Sequence, residues 1–195
     1  MATVGTRGMT ADEFWEWCCR PENAGKRYEL ERGEIIEMSS PGEVHGTVCW
    51  WIGVLLGLFV LKRGKGRAAT NDTGVVVEEG PDTVRGPDVV FFDETRPLDQ
   101  LNWKHIREVP TLVIEVVSPT DTPNKITKRI GEYLGRGVPL VWIVDPEDKT
   151  VGIHRKGELP RTLDEGDELT GEEILPDLKH RVAELFTLPG AKPTQ

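Results

Sequence analysis

The chain reads as an α/β protein built on a mixed sheet, and three observations carry that reading. Two strongly apolar runs, Thr111–Val117 and Pro139–Asp145, flank a segment with helical periodicity. Strand, helix and strand at this spacing form a βαβ unit, whose strands are parallel and buried on both faces. Shorter β-branched runs at Gly74–Glu79 and Asp88–Phe92 supply further strands. At 195 residues the chain can bury a substantial core, and residues 1–195 are read as one domain.

Taken in order, residues 1–8 read as a loose N-terminus. Thr10 is a good N-cap for a short helix from Ala11 to about Cys19, with Asp12 and Glu13 in its first turn. Arg27–Met38 reads as two short strands about a turn at Arg32-Gly33. The loop Ser39-Ser-Pro-Gly42 leads into a long helix from about Glu43 to Lys62. Its apolar residues cover most of its circumference, so it belongs at the centre of the fold or at a subunit contact. The same argument buries Trp50 and Trp51, and Trp142 in its core strand, in preference to base stacking. Thr122 and Pro123 start the helix of the βαβ unit, which runs to about Gly135 with Gly137 as terminator. Short strands follow at Thr150–Arg155 and near Leu159–Thr162, then an acidic segment at Leu163–Leu178 and a last helical turn at Val182–Phe186.

Composition narrows the function. There are 33 acidic and 24 basic residues, a formal charge of −9, which argues against a protein that coats nucleic acid through bulk charge. The excess is local, however. Between Leu163 and Leu178 stand seven acids and no Lys or Arg. The basic clusters Lys62–Arg67 and Lys125–Arg129 remain available for a phosphate-facing groove. Cys18, Cys19 and Cys49 have no C-x-x-C spacing, so neither a disulfide framework nor a zinc ribbon follows, and a cytoplasmic setting is expected. The apolar run Val48–Leu61 has 14 residues, fewer than the roughly 18 of a membrane span.

Asp88 opens one apolar strand and Glu115 lies within another. A carboxylate in such a place is costly to bury unless paired, hydrogen-bonded or bound to a metal. Two of them at the ends of neighbouring strands make oxygen ligands for Mg²⁺ or Mn²⁺, the arrangement that metal-assisted phosphodiester hydrolysis needs. The competing reading puts Glu115 at an exposed strand end, paired with a Lys or Arg.

Five segments then occur in order: Tyr28-Glu-Leu-Glu-Arg-Gly-Glu34, Ser40-Pro-x-x-x-His45, Gly86-Pro-Asp-Val-Val90, Val113-Ile-Glu-Val-Val-Ser-Pro119 and Tyr133-Leu-Gly-Arg-Gly-Val-Pro-Leu-Val-Trp-Ile-Val-Asp-Pro146. Together, over a core of about 10–186, they resemble the Uma-type restriction endonuclease family of the PD-(D/E)XK nuclease superfamily. The resemblance implies a restriction-endonuclease-like core, a mixed β-sheet flanked by helices, with Asp88 and Glu115 as metal ligands and DNA as substrate. It also exposes a departure: the superfamily lysine, two residues after the second acid, falls on Val117. In this family the basic residue is moved to the following helix, four before its tyrosine, which is Arg129 here, with Lys128 beside it. At about 100° per residue, Ile126, Ile130, Tyr133 and Leu134 share the buried face, with Arg129 at its edge and Lys128 pointing to solvent. Glu29 and His45 match recurrent family positions. Glu29 is either a third carboxylate of the site or a salt-bridge partner within the hairpin. His45 either contacts water or phosphate near the metal or is a helix-start histidine with local partners. His105, His154 and His180 have no metal-ligand spacing.

Three functions are thus in play. The first is a Mg²⁺- or Mn²⁺-dependent DNA endonuclease, with homodimerisation through the apolar helix. The second is a nuclease-fold protein that binds nucleic acid or a partner without cleaving, favoured by Val117 and Arg129 in place of lysines. The third is a dimerisation domain whose acids are merely solvated.

Overall fold

Two adjacent parallel strands and the helix between them form the spine of the molecule. The computed structural model describes residues 8–190, so the N-terminal expectation lies, but for Gly8, outside them. In chain order the elements are α1 (Ala11–Cys18), β1 (Arg27–Glu31), β2 (Glu34–Met38), α2 (Glu43–Arg63), β3 (Arg67–Thr70), β4 (Val75–Glu78), β5 (Thr83–Arg85), β6 (Val89–Phe92), β7 (Leu112–Val116), α3 (Pro123–Arg136), β8 (Leu140–Asp145), β9 (Thr150–His154), β10 (Arg161–Leu163), β11 (Glu168–Gly171) and β12 (Leu175–Arg181). Short 3-10 turns lie at Pro21–Asn23, Leu98–Gln100 and Val182–Phe186.

The main sheet has six strands in the order β10-β9-β8-β7-β6-β3. Only β7 and β8 pair in parallel, Leu112 to Leu140 through Val116 to Val144, as a βαβ crossover requires. A four-stranded sheet, β2-β1-β5-β4, stands beside it, and β11-β12 form a separate hairpin. Alternation along the central strands sorts the side chains onto two faces. Val89, Phe91, Leu112, Ile114, Val116, Trp142 and Val144 pack against Val48, Ile52, Leu55, Leu56 and Phe59 of α2. Val90, Val113, Val141 and Ile143 pack on the opposite face against Tyr133, Ile126, Ile130 and Leu134 of α3. The apolar edge of α3 is the one its periodicity predicts. Its ends follow local chemistry too: the Thr122 hydroxyl accepts from the Lys125 amide, and Gly137 closes the helix at φ +103°.

Two expectations are corrected, and the acidic segment, to which the sequence assigned no element, carries the β11-β12 hairpin. Leu169, Leu175 and Leu178 turn inward under α2, with the 3-10 turn supplying Val182 and Leu185, while the acids face outward. A register shift at Thr170/Gly171 breaks the alternation that would have revealed the hairpin. Trp50 is 58% exposed rather than buried, and Trp51 is partly covered, its indole N–H donating to the Glu184 carbonyl at 2.7 Å. The cluster Lys62–Arg67 is largely committed to protein carboxylates: Arg63 and Lys65 hold Asp93 at 2.5 and 2.6 Å, and Arg67 pairs with Glu108. At 21 residues α2 is long and apolar enough to cross a membrane, a test that core helices also pass. One whole face of it is built into the core.

The third core lies under the smaller sheet, where Ala11 and Phe14 of α1 meet Leu30, Val76 and Val84. The Thr10–Glu13 capping box starts α1 as expected. His105 stacks on Phe14 at 5.3 Å and meets Trp15 edge-on at 5.4 Å. Its Nε2 is buried without a hydrogen-bond partner. Burial, helped by Arg107, lowers its pKa to about 4. A histidine that stays neutral when folded but charges when unfolded weakens the fold as pH falls from about 6.5 towards 4. Replacing it with phenylalanine keeps the stack and removes the proton. Denaturant melts of His105→Phe and wild type should therefore diverge on acidification, the variant losing less stability by on the order of 2 kcal/mol. Equal pH slopes would refute the assignment.

Candidate active site

The register of β6 on β7 decides where the two acids point. Val89 pairs with Ile114 and Val90 with Val113, so one further step sets Asp88 opposite Glu115. Residues opposite one another across an antiparallel pair share a face. That face is the one covered by α3, and both carboxyls line a cleft of about 330 Å³ together with Glu29, His45, Asp72 and Arg129. Asp88 and Glu115 thus lie on one side of the sheet.

Each acid is held by a specific partner. Asp88 Oδ2 accepts from the Val116 amide at 2.7 Å, and its Oδ1 is 3.2 Å from His45 Nε2. Glu115 Oε1 accepts from Arg129 at 3.1 Å and from the Tyr133 hydroxyl. Among the described residues no hydrogen bond reaches Glu115 Oε2. Burial pushes the Glu115 carboxyl up, against the pull of Arg129, and Asp88 adds to the rise. The hydrogen bond to Asp88 outweighs burial at His45 and raises its pKa. His45 sits in the first turn of α2, whose N-terminus meets the cleft while its body packs on the other face of the sheet.

Behind Glu115 runs a buried chain of ion pairs. Arg129 also donates to Glu29 Oε1 at 2.9 Å, and Glu29 Oε2 accepts from Arg85 at 3.0 Å. Arg85 then grips Glu132 with two bonds of 2.6 and 2.7 Å. The Gly86 amide, one residue before Pro87-Asp88, donates to Glu29 Oε1 at 3.0 Å. Glu29, Arg85 and Glu132 are all buried. Glu29 thus lines the cleft and is an ion-pair partner of arginines, of Arg85 and Arg129 rather than of one in its own hairpin.

Of the six residues singled out from the sequence, Asp88, Glu115, Arg129, Glu29 and His45 meet at this cleft. Lys128 does not. It points away, 45% exposed, and pairs with Glu31 at the end of β1 in the smaller sheet. The competing reading of Glu115 is half right, since Arg129 is its partner, but the carboxyl is enclosed rather than at an exposed strand end. Sequence reasoning overlooked Arg85, Asp72 and Glu132. Arg85 had a signal, a charge closing the Thr83-Val-Arg run just before Gly-Pro-Asp. Asp72, paired with Arg27 and with its carboxyl raised by burial, follows Asn71 in a left-handed turn with no periodicity to mark it.

Mixed sheet, flanking helices and strand-borne acids together define an α/β fold of the nuclease type. The solved structure of a "putative nuclease belonging to DUF820" from Anabaena variabilis shares it, with a TM-score of 0.76 and 22% identity over 91% of this chain and 97% of that one. The chain belongs to the Uma2 family, described as "Putative restriction endonuclease", which it matches over residues 11–185. No curated protein matches it.

Removing one member of a buried ion-pair chain leaves the others charged and unpartnered. Arg85→Ala is expected to cost about 3–5 kcal/mol in urea unfolding, whereas Arg85→Met combined with Glu29→Gln and Glu132→Gln should recover most of that loss. A single variant with wild-type stability would show that the chain of pairs contributes nothing.

Proposed function

We propose that this protein is an endonuclease that hydrolyses DNA phosphodiester bonds with the help of a divalent cation, Mg²⁺ or Mn²⁺, at the Asp88/Glu115 cleft. Family membership supports nuclease function in general. The observation that carries the specific reading is the cross-strand juxtaposition of Asp88 and Glu115 on one face, with Arg129 behind them. The donor set fits a hard cation, because both acids offer carboxylate oxygen and, among the described residues, none donates a hydrogen bond to Oε2 of Glu115. Asp88 and Glu115 add a second carboxylate to one another's surroundings, and a cation between them would relieve the burial that pushes the Glu115 carboxyl up.

When bound, such a cation supplies positive charge against the phosphate and the leaving oxygen. The protein's own groups do the rest. Tyr133 and Arg129 fix the Glu115 carboxylate, and the Val116 amide fixes Asp88, so neither has to reorganise as charge develops. Arg129 cannot serve as a base, because a guanidinium keeps its proton. It is a positioning residue whose charge also faces the cleft. His45, held toward its protonated form by Asp88, is suited to donating a proton to a phosphate or leaving oxygen. A plasmid-nicking assay with Mg²⁺ and Mn²⁺ tests this. Asp88→Asn and Glu115→Gln should each lower nicking by about 100-fold or more. Cleavage that survives both substitutions would overturn the site.

A second reading, nucleic-acid or partner binding without cleavage, draws on Val117 at the usual lysine position and on an Arg129 already engaged by Glu29 and Glu115. Wild-type protein that binds DNA yet never nicks it would favour that reading.

We propose further that two copies associate through α2. Between Glu43 and Lys62 the helix carries no Asp, Glu, Lys or Arg. On its outer face Thr47, Trp50, Val54, Gly57 and Leu61 recur at 3-4-3-4 spacing, the seam of a helix pair, with Trp50 58%, Leu58 56% and Leu61 78% exposed. An antiparallel pair would bring Glu43 of each copy near Lys62 of the other, and two sites would suit both DNA strands. Light scattering after size exclusion should give twice the chain mass, falling to the monomer in Trp50→Glu/Leu61→Glu. A monomeric wild type at micromolar concentration would rule this out.

A further inference from the structure

Beside the main cleft lies a smaller cavity of about 240 Å³, lined by His45, Cys49, Trp50, Asp72 and Asp88. His45, Asp72 and Asp88 border both spaces, whereas Cys49 borders only this one. His45 and Cys49 are one helical turn apart on α2, so their side chains meet on one face, Nδ1 to Sγ at 3.5 Å. One nitrogen of His45, the Cys49 sulfur and one Asp88 oxygen lie within 4.8 Å of one another. Imidazole, thiolate and carboxylate are the donor types that Zn²⁺ prefers, and three protein ligands leave one position open. A hard cation has little use for the sulfur, so this donor set is not the one assigned above to the nuclease reaction. Burial raises the Cys49 thiol, and Asp88 and Asp72 add to it, so without a cation the sulfur stays protonated.

We infer that His45, Cys49 and Asp88 form a site for a thiophilic divalent cation, with Zn²⁺ as the type ion, reached from the smaller cavity. Because Asp88 belongs to both sets, an ion there excludes the hard cation of the main cleft. The exclusion rests on the function proposed above, while the site itself does not. Zn²⁺ supplied to the enzyme would then hold it inactive until a chelator or a competing thiol removes the ion.

Two independent readouts separate these parts. Titration of the full chain with Co²⁺ should produce a thiolate-to-cobalt charge-transfer band, and calorimetry should show Zn²⁺ binding. Cys49→Ser should abolish the band and weaken Zn²⁺ by at least about tenfold, while Cys18→Ser/Cys19→Ser leaves both unchanged. Circular dichroism melts on Cys49→Ser and Cys49→Ala identify a variant that is folded for the comparison. A band that survives loss of Cys49, or one that follows Cys18 and Cys19, overturns the site. In the second readout, Zn²⁺ should suppress Mg²⁺-supported nicking by wild type and spare nicking by Cys49→Ser. Equal suppression of both overturns the exclusion. If wild type never nicks, the nuclease reading fails by itself, and the cobalt band still decides the site.

Discussion

Much of this structure hangs on one line of charges that is largely shielded from water. Glu132, Arg85, Glu29, Arg129 and Glu115 alternate in sign from the middle of α3, through β5 and β1, back to α3 and onto β7. Burying a lone carboxylate or guanidinium would be prohibitive. Each is tolerable only because the next is in place, so the chain ties the smaller sheet to the main one and fixes α3 over both.

The two faces of the main sheet divide the remaining work. On one, α3 brings Tyr133 and Arg129 down onto Glu115. On the other, α2 packs its apolar side against Ile114, Val116 and Trp142, and its N-terminal end alone lines the cleft, with Gly42 and His45. That placement lets His45 reach Asp88 although the body of α2 belongs to the opposite layer. Asp88 therefore borders both the Glu115 cleft and the His45/Cys49 pair, and under the two proposals above an ion at the second would compete with one at the first.

Much of this was legible in the amino-acid order. The βαβ unit declared itself through apolar runs too continuous for half-exposed strands, and Thr122-Pro123 and Gly137 marked the helix between them. Asp88 and Glu115 stood out because charge in such runs demands a partner, and helical phase favoured Arg129 over Lys128. Less legible were β3, whose Arg-Ala-Ala-Thr edge lacks an apolar signature, the three-residue β5, and β11-β12, where a bulge disrupts alternation. Trp50 was misread because an apolar helix has no sequence mark for which side is covered.

The sequence by itself determined the fold class, the central unit and the identity of the principal acids, because periodicity and the cost of burying charge are local properties. Tertiary structure alone decided which groups meet. Arg85 and Glu132 are 47 positions apart, and Glu29 and Arg129 are 100 apart. No local rule pairs such residues. Only the packing of α3 against both sheets brings them within hydrogen-bonding distance, and only the strand register puts Asp88 and Glu115 on the same side.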